Sequence, residues 1–465
     1  MVLNIDDGVI LMNVVWFKRD LRIADHKPFA DAAKYGEVLT LYAAEPSIWS
    51  GDDYSARHFQ FVRESLEEMH AALEDRGGRL FTYMGEMEDA LSALFKTYGP
   101  FTLYAYEEKA GPRVHDRNAR VREWMIERGI RFLEYPINEK NSGRNIQDRW
   151  SGFCRSEPFS SPERVEVPKT IPESFFIGAE KLKSFPVGGK PIRFGQQGGE
   201  QQALETLETF LEERFHLYEE HGSNLLQSTV SSSRLSPYLA WGNISFHTVV
   251  QKTSIKIENC DNLFLVKQLT SFQERLKERW KLMEQENVFD FEPSPDEKDT
   301  GDGLFLRWFE GQTGIPMIDA TMNCLHKTGW IPSKYRSMLV SFAVNTLSLN
   351  VQKCSDALAA LFLDYEPIIH FHQIQKMSEK VQNPVKIGKK EDPDGAFIKR
   401  YLPSLENVPV KHIHEPWHYP GFFHLNYQAP IVDVKKANQA ARKAQAGTSA
   451  RSSKASDYEQ LKFDL

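Results

Sequence analysis

Ser231-Ser232-Ser233-Arg234-Leu235-Ser236-Pro237 leads into a helical pattern, Tyr238-Leu239-Ala240-Trp241-Gly242. Hydroxyls crowded before a helix can cap its free N–H groups. The same hydroxyls and N–H groups can hold phosphate, with Arg234 adding charge. A second cluster, Gly329-Trp330-Ile331-Pro332-Ser333-Lys334-Tyr335-Arg336, opens another helix, and Arg336 stands 28 residues before Asp364, with Glu366 close behind. A helix-borne arginine facing a carboxylate can form a buried pair or bind the polar edge of a ring cofactor. Two unrelated surface charges fit the same spacing. His370-Phe371-His372 offers two imidazoles, but no acidic or cysteine partner recurs at ligand spacing, so the expectation is no metal site. No G-x-S-x-G, Walker loop or H-E-x-x-H occurs, which argues against ordinary hydrolases, P-loop enzymes and zincins.

The elements that must carry these clusters change character along the chain. Short β-rich runs at Asn13–Phe17, Val38–Ala44, Arg79–Tyr83, Phe101–Tyr106 and Arg131–Tyr135 alternate with helical patterns, the clearest being Phe59, Val62, Leu66, Met69 and Leu73. Residues 1–135 therefore read as an α/β domain with a doubly wound parallel sheet. Lys18-Arg19-Asp20-Leu21-Arg22 stands where a dinucleotide fold would place G-x-G-x-x-G, so an ordinary nicotinamide-binding half is not expected. Residues 136–200 are rich in Pro, Gly and Ser and read as a connector draped over a domain surface. Residues 201–430 are helical in pattern, near 201–216, 235–250, 262–286, 315–328, 334–349 and 354–363, and predict an all-α domain. Residues 431–465 form a basic tail with Lys435, Lys436, Arg442, Lys443, Arg451 and Lys454, poor in large apolar groups, which reads as frayed and flexible.

Of the 465 residues, 41% are apolar and 26% charged, which fits a globular protein and excludes fibrous and wholly disordered readings. The net charge of −7 means that any DNA contact needs a local basic stripe. Lys386, Lys389, Lys390, Lys399 and Arg400 are candidates, diluted by Glu391, Asp392 and Asp394. Four cysteines without framework spacing suggest a reducing, cytoplasmic location. No apolar run approaches the ~20 residues that span a bilayer, and the first twelve residues do not read as a signal peptide, so no membrane partner is expected.

Several segments, in order, resemble photolyases and cryptochromes: Val15–Arg22 (VWFKRDLR), Ser232–Gly242 (SSRLSPYLAWG), Gly311–Ala320 (GQTGIPMIDA), Thr328-Gly329-Trp330 and Val408–Trp417 (VPVKHIHEPW). The resemblance spans about residues 13 to 430. It implies an N-terminal α/β antenna domain, a connector and an all-α C-terminal domain holding FAD. It allows a second antenna chromophore, a folate or a deazaflavin, in the N-terminal domain. It implies a monomeric carbon–carbon lyase that splits pyrimidine dimers in damaged DNA by light-driven electron transfer from reduced FAD. The same scaffold serves cryptochromes as blue-light receptors without repair activity, which is the alternative. A flavoprotein with neither activity is a third reading.

Carried over residue by residue, the resemblance implies FAD contacts from Tyr218, Ser232, Ser233, Leu235, Ser236, Arg279, Arg336, Asp364 and Glu366. Within Glu274–Trp280, Arg275 and Glu278 align with the acid and tryptophan of the family's lesion-facing helix, while a one-turn slip would bring in Glu274 as the acid. Glu274, Glu278 and His370 are the expected catalytic candidates, His370 standing where an asparagine commonly faces the flavin. The inner photoreduction tryptophans fall on Ile374 and near Val351, which cannot donate electrons; Trp330, Tyr335 and Tyr365 are the nearest oxidisable rings. Asp364–His370, with Arg149-Trp150, resembles a divergent, mostly bacterial branch, and the chain is shortened between Gln375 and Asn383.

Overall fold

Strands buried on both faces read as near-continuous apolar runs, and the first runs supply them, each interrupted by one buried polar residue, Asn13, Thr40 or Thr102. The structure, a computed structural model, describes residues 12–137, 146–222, 224–284 and 301–449. The stretch before residue 12 and the tail cations Arg451 and Lys454 lie outside the described residues. β1 (Met12–Phe17), β2 (Val38–Ala44) and β4 (Phe101–Tyr106) are buried throughout, β3 (Leu80–Met84) is buried in its first half, and β5 (Arg131–Tyr135) is a half-exposed edge. The sheet order is β5-β4-β1-β2-β3-β6, parallel except for β6 (Phe176–Ile177), which runs antiparallel to β3. Helices α1 (Ala56–Glu74), α2 (Met87–Tyr98) and α3 (Pro112–Glu127) return the chain between strands.

The chain forms two units. One comprises Met1–Gly188, Gln197–Glu205 and Tyr238–Lys252, and the other Gly189–Gln196, Thr206–Pro237 and Thr253–Leu465. Sequence texture put the boundaries at 135 and 200. The difference has a physical cause, because the connector and a later segment satisfy backbone groups of the sheet unit. β6 extends the edge of β3, Val38 N donates to Glu166 O at 2.7 Å, and Leu21 N donates to Trp241 O at 3.2 Å. The turn after β1 does this work without a glycine-rich loop. Lys18 N donates to Asp20 Oδ1 (2.6 Å), and Asp20 Oδ2 meets His26 Nε2 (2.7 Å). Phe29 N donates to His26 Nδ1 (3.1 Å), so the ring proton sits on Nε2 and is given to Asp20. Arg19 lays its guanidinium 4.1 Å from the Trp241 ring centre and donates from Nε to Ala240 O. Gly242, at φ +68°, lies against this turn; a Cβ there would stand 2.3 Å from Arg19 O.

The second unit is helical: α4 (Leu263–Met283), α5 (Pro316–Thr328), α6 (Ser333–Ser341), α7 (Pro367–Ser378) and α8 (Val434–Ser449) are its principal described helices. α6 does not run on to 349 as periodicity suggests; it passes into a π-helical turn, Phe342–Thr346. α8 lies in the stretch expected to be a flexible tail. That expectation counted apolar groups, but two amides do the anchoring. Asn438, 3% exposed, accepts from Thr346 Oγ1 (2.8 Å) and donates to Gln382 O (2.7 Å), and Gln445 donates to Asn345 Oδ1 and Glu379 O.

Gly311–Ala320 is a polar knot inside this core. Asp319, fully buried, accepts from Thr313 N (2.8 Å), Thr313 Oγ1 (2.6 Å), Gly314 N (3.0 Å) and Tyr427 OH (2.6 Å). Gly314, at φ +74°, could not carry a Cβ, which would stand 2.4 Å from Ala429 O. The Asp319→Ala variant strands several buried donors at once, each costing ~1–3 kcal/mol. It should lower the thermal midpoint of the helical unit by several degrees, with Asp319→Asn losing less. An unchanged melting curve for Asp319→Ala would refute this role.

Candidate functional site

The charged groups singled out in the sequence meet in one cleft of the helical unit, lined by Ser236, Arg279, Trp330, Arg336, Asp364, Tyr365, Glu366, His370 and Gln373 among others and enclosing about 610 Å³ of empty space, its open mouth included. α6 presents Arg336, and the turn ahead of α7 presents Asp364 and Glu366. Arg336 Nη2 donates to Asp364 Oδ2 at 2.7 Å, Nε donates to Ile331 O at 3.0 Å, and the guanidinium stacks 4.2 Å from the Phe362 ring centre. The pair is buried, with side chains 12% and 5% exposed. Burial by itself would raise the Asp364 pKa, but the Arg336 charge and hydrogen bond, helped by Ser236, hold it below the usual carboxylate value. The alternative of two unrelated surface charges is thereby excluded.

A second buried pair crosses from α4 to the N-terminus of α7, where Arg279 donates from Nη2 to Glu366 Oε2. His370, also in the lining, holds Nε2 3.0 Å from Ser355 O and 3.1 Å from Ser355 Oγ, and its ring meets Tyr365 edge-on at 5.3 Å. Ile374 is buried in the apolar core and lies outside the lining.

The serine-rich turn lies beside the cleft and contributes Ser236 to its lining. Two arginines fix it, Arg234, expected to add charge for phosphate, and Arg214, which sequence reasoning missed. Arg234 adopts φ +60°, rare for a side chain of its size, and stacks its guanidinium 4.1 Å from the Trp330 ring centre. Arg214 donates to Ser232 O (2.6 Å) and Ser233 O (3.2 Å). No sequence pattern flags Arg214, because the carbonyls it serves lie 18 and 19 residues away. Tyr218 is buried against Phe210 and Phe272 and lies under Arg275, outside the cleft lining, as do Ser232, Ser233 and Leu235. Glu274 is exposed on α4, and Glu278 pairs with Lys281 at 2.6 Å; neither lines the cleft.

Among the described residues, Ser232 Oγ in the turn and Asp364 Oδ1 in the cleft are buried without a hydrogen-bond partner. Ser236 Oγ leans toward Asp364 without full hydrogen-bond geometry. Buried polar atoms are rarely left without a hydrogen-bond partner. A hydroxyl on a phosphate-type turn and a carboxylate beside a guanidinium fit a ligand that brings both phosphate and a polar ring edge, as FAD does.

The sheet unit has its own pocket, about 380 Å³ with its open side included, walled by Trp16, Tyr42, Trp49, Tyr54 and Trp241 with Lys18, Glu45, Glu108 and Arg117. Lys18 Nζ is buried with no hydrogen-bond partner among the described residues, 4.6 Å from the Trp16 ring centre, and burial lowers its pKa. Glu45 is pushed up to about 7 by burial, against the pull of Arg117.

Known proteins bear on both units. The family model for DNA photolyase matches residues 13–138, and that for the FAD binding domain of DNA photolyase matches residues 242–446. The chain is 25% identical to cryptochrome DASH of Natronomonas pharaonis, covering 92% of this chain and 99% of that one. It is 25% identical to a deoxyribodipyrimidine photo-lyase of Agrobacterium fabrum, covering 93% and 97%. A bacterial class III photolyase from Agrobacterium tumefaciens shares the fold, with a TM-score of 0.76 over 96% of this chain and 100% of that one, at 23% identity. With a sheet unit and a helical unit that match both family models, the chain belongs to the photolyase/cryptochrome family.

Proposed function

We propose that the protein is a light-dependent DNA repair flavoenzyme, a carbon–carbon lyase acting on pyrimidine dimers. The observation that carries this reading is the cleft with two buried Arg–carboxylate pairs, Arg336–Asp364 and Arg279–Glu366, side by side. Reduced FAD, when bound, supplies the electron that light moves onto the dimer. Arg336 offers a fixed positive charge that favours added electron density on a ring beside it. Asp364 fixes that guanidinium, and its second oxygen, buried without a hydrogen-bond partner among the described residues, would accept from a ring N–H. Ser232, Ser233, Leu235 and Ser236, latched by Arg214, would hold the phosphates. Glu366, held by Arg279, is the lining carboxylate not committed to Arg336 and could orient a dimer through its ring N–H groups. His370 is tethered by Ser355 and presents its ring beside Tyr365. The cavity of the sheet unit, with aromatic walls and a cation at Lys18, suits a second chromophore such as a folate or deazaflavin. No described helix is long and apolar enough to cross a membrane.

One observation favours the photoreceptor reading. Glu274 and Glu278, the expected catalytic candidates on the lesion-facing helix, lie outside the cleft lining, and Glu278 pairs with Lys281. The deciding experiment is exposure of FAD-loaded protein and a dimer-containing oligonucleotide to blue light, with release of intact pyrimidines measured by chromatography. Repair dependent on light and on Glu366 supports the lyase. No repair beside a stable photochemical cycle of the flavin supports the receptor.

Arg336→Ala should leave Asp364 buried and unpaired, at a cost of ~3–5 kcal/mol. The purified protein should be largely colourless and melt earlier. The Asp364 contribution is present above its ordinary value of 3.8 and is lost as pH falls through its lower folded value. Acid titration by circular dichroism should therefore show a transition below 3.8 in the wild type, with that share of the pH dependence missing in Asp364→Asn. A yellow Arg336→Ala protein with an unshifted melt would overturn the assignment.

Photoreduction should be slow, since Ile374 and Val351 cannot donate electrons. Tyr365 and Trp330 line the cleft, whereas Tyr335 is packed in the core. The Arg234 cation over Trp330 makes removing an electron from that ring harder, so Tyr365→Phe should slow blue-light bleaching of flavin absorbance more than Trp330→Phe. Equal rates in all three proteins would place the donor elsewhere.

A further inference from the structure

Several cations of the helical unit are matched by carboxylates, and α8 differs from them. Among the candidates for a basic groove, Lys389 is paired with Glu415, and Lys390 lies 3.7 Å from Glu391, which also holds Lys334; Lys386, Lys399 and Arg400 have no carboxylate partner among the described residues, but Glu391, Asp392 and Asp394 stand in the same stretch. α8 has no acidic residue along Val434–Ser449, while Lys435, Lys436, Arg442 and Lys443 are all exposed. Among the described residues, the carboxylate that reaches them is Asp433, 3.7 Å from Lys436, with side chains 54% and 85% exposed and therefore screened.

Periodicity puts these charges together. Lys435 and Lys436 precede Arg442 and Lys443 by seven residues, almost two turns, so the two pairs share one side of the helix about 10 Å apart. The other side is tied down by Val434, Asn438 and Gln445. With Val434 buried, α8 keeps no large apolar residue free to enter a bilayer. A polyanion with closely spaced charges is the complement, and duplex DNA carries one charge per ~1.7 Å of axis. α8 is also linked to the cleft. Gln445 bonds Glu379 O at the C-terminal end of α7, about 15 Å of helix from Ile369 in the cleft lining, and exposed Lys380 follows.

We propose that the outward face of α8 is an electrostatic docking surface for the sugar–phosphate backbone of duplex DNA, independent of lesion recognition. The choice of DNA as the polyanion rests on the repair reading above. The face grips flanking duplex through its phosphates and reads no sequence.

The test uses the full FAD-loaded chain and the variant K435Q/K436Q/R442Q/K443Q, which leaves Val434, Asn438 and Gln445 in place. Fluorescence anisotropy measures affinity for duplexes of about 30 base pairs, intact or with one thymine dimer, from about 50 to 200 mM salt. The variant should bind both duplexes more weakly by the same factor. Its slope of log K against log salt should be shallower by up to ~3.6, at ~0.9 for each phosphate no longer neutralised, with the melt and flavin absorbance unchanged. An unchanged slope and affinity overturns the proposal. So does a wild type that binds no DNA, or a variant that loses only binding to phosphatidylserine vesicles. Equal wild-type affinity for damaged and intact duplex, with the slope still shallower in the variant, sinks the repair reading and leaves the α8 surface standing.

Discussion

The Arg336–Asp364 pair is the constraint on which the helical unit's cleft depends. Two charges out of water are tolerated only when each is answered. Arg336 belongs to α6 and spends one donor on Ile331 O at the start of that helix, another on Asp364, and its face on Phe362. Asp364 in turn sits at the entrance to α7, so the pair sets the approach of α7 to α6. The neighbouring Arg279–Glu366 pair ties α4 to the same helix start. The cleft is thus bounded by three helices locked by two ion pairs, and Asp364, whose Oδ1 is buried without a hydrogen-bond partner among the described residues, lines the space that remains.

Elsewhere the fold meets polar requirements with local knots. Asp319 gathers Thr313, Gly314 and Tyr427 into one buried carboxylate site, which explains why Gly311–Ala320 combines an acid with a helix start and a glycine at positive φ. In the sheet unit, Asp20 and His26 close the turn after β1, and the His26 ring fixes its own tautomer by accepting from Phe29 N. Where a dinucleotide fold leaves N–H groups open for phosphate, this turn consumes them internally. The aromatic cavity next to it keeps the buried Lys18 Nζ with no hydrogen-bond partner among the described residues.

The charge balance of the helical unit separates cations that stabilise from cations that remain available. Over 386–400, Lys389 is paired with Glu415 and Lys390 only loosely with Glu391, while Lys386, Lys399 and Arg400 have no carboxylate partner among the described residues. The C-terminal stretch was understated by a count of apolar groups, because its few apolar residues concealed an anchoring by amides.

The sequence by itself determined the sheet, the helical unit and the family. Strand runs such as Val38–Ala44 and helix patterns such as Phe59–Leu73 encode local periodicity, and burial on both faces of a parallel sheet leaves a continuous apolar run legible without coordinates. The motif residues Arg336, Asp364 and Ser236 were legible too, because their types and spacing match a known pattern. What only the tertiary structure decided is which groups answer which. Arg214 beneath the serine turn, Arg234 over Trp330, Arg279 on Glu366 and Asn438 under α8 join elements far apart in the chain. Glu274 and Glu278 differ from Glu366 only in the helix face or helix start that carries them. A hydrogen bond or ion pair needs atoms within about 3 Å, and chain spacing says nothing of that distance once the partners lie on separate helices.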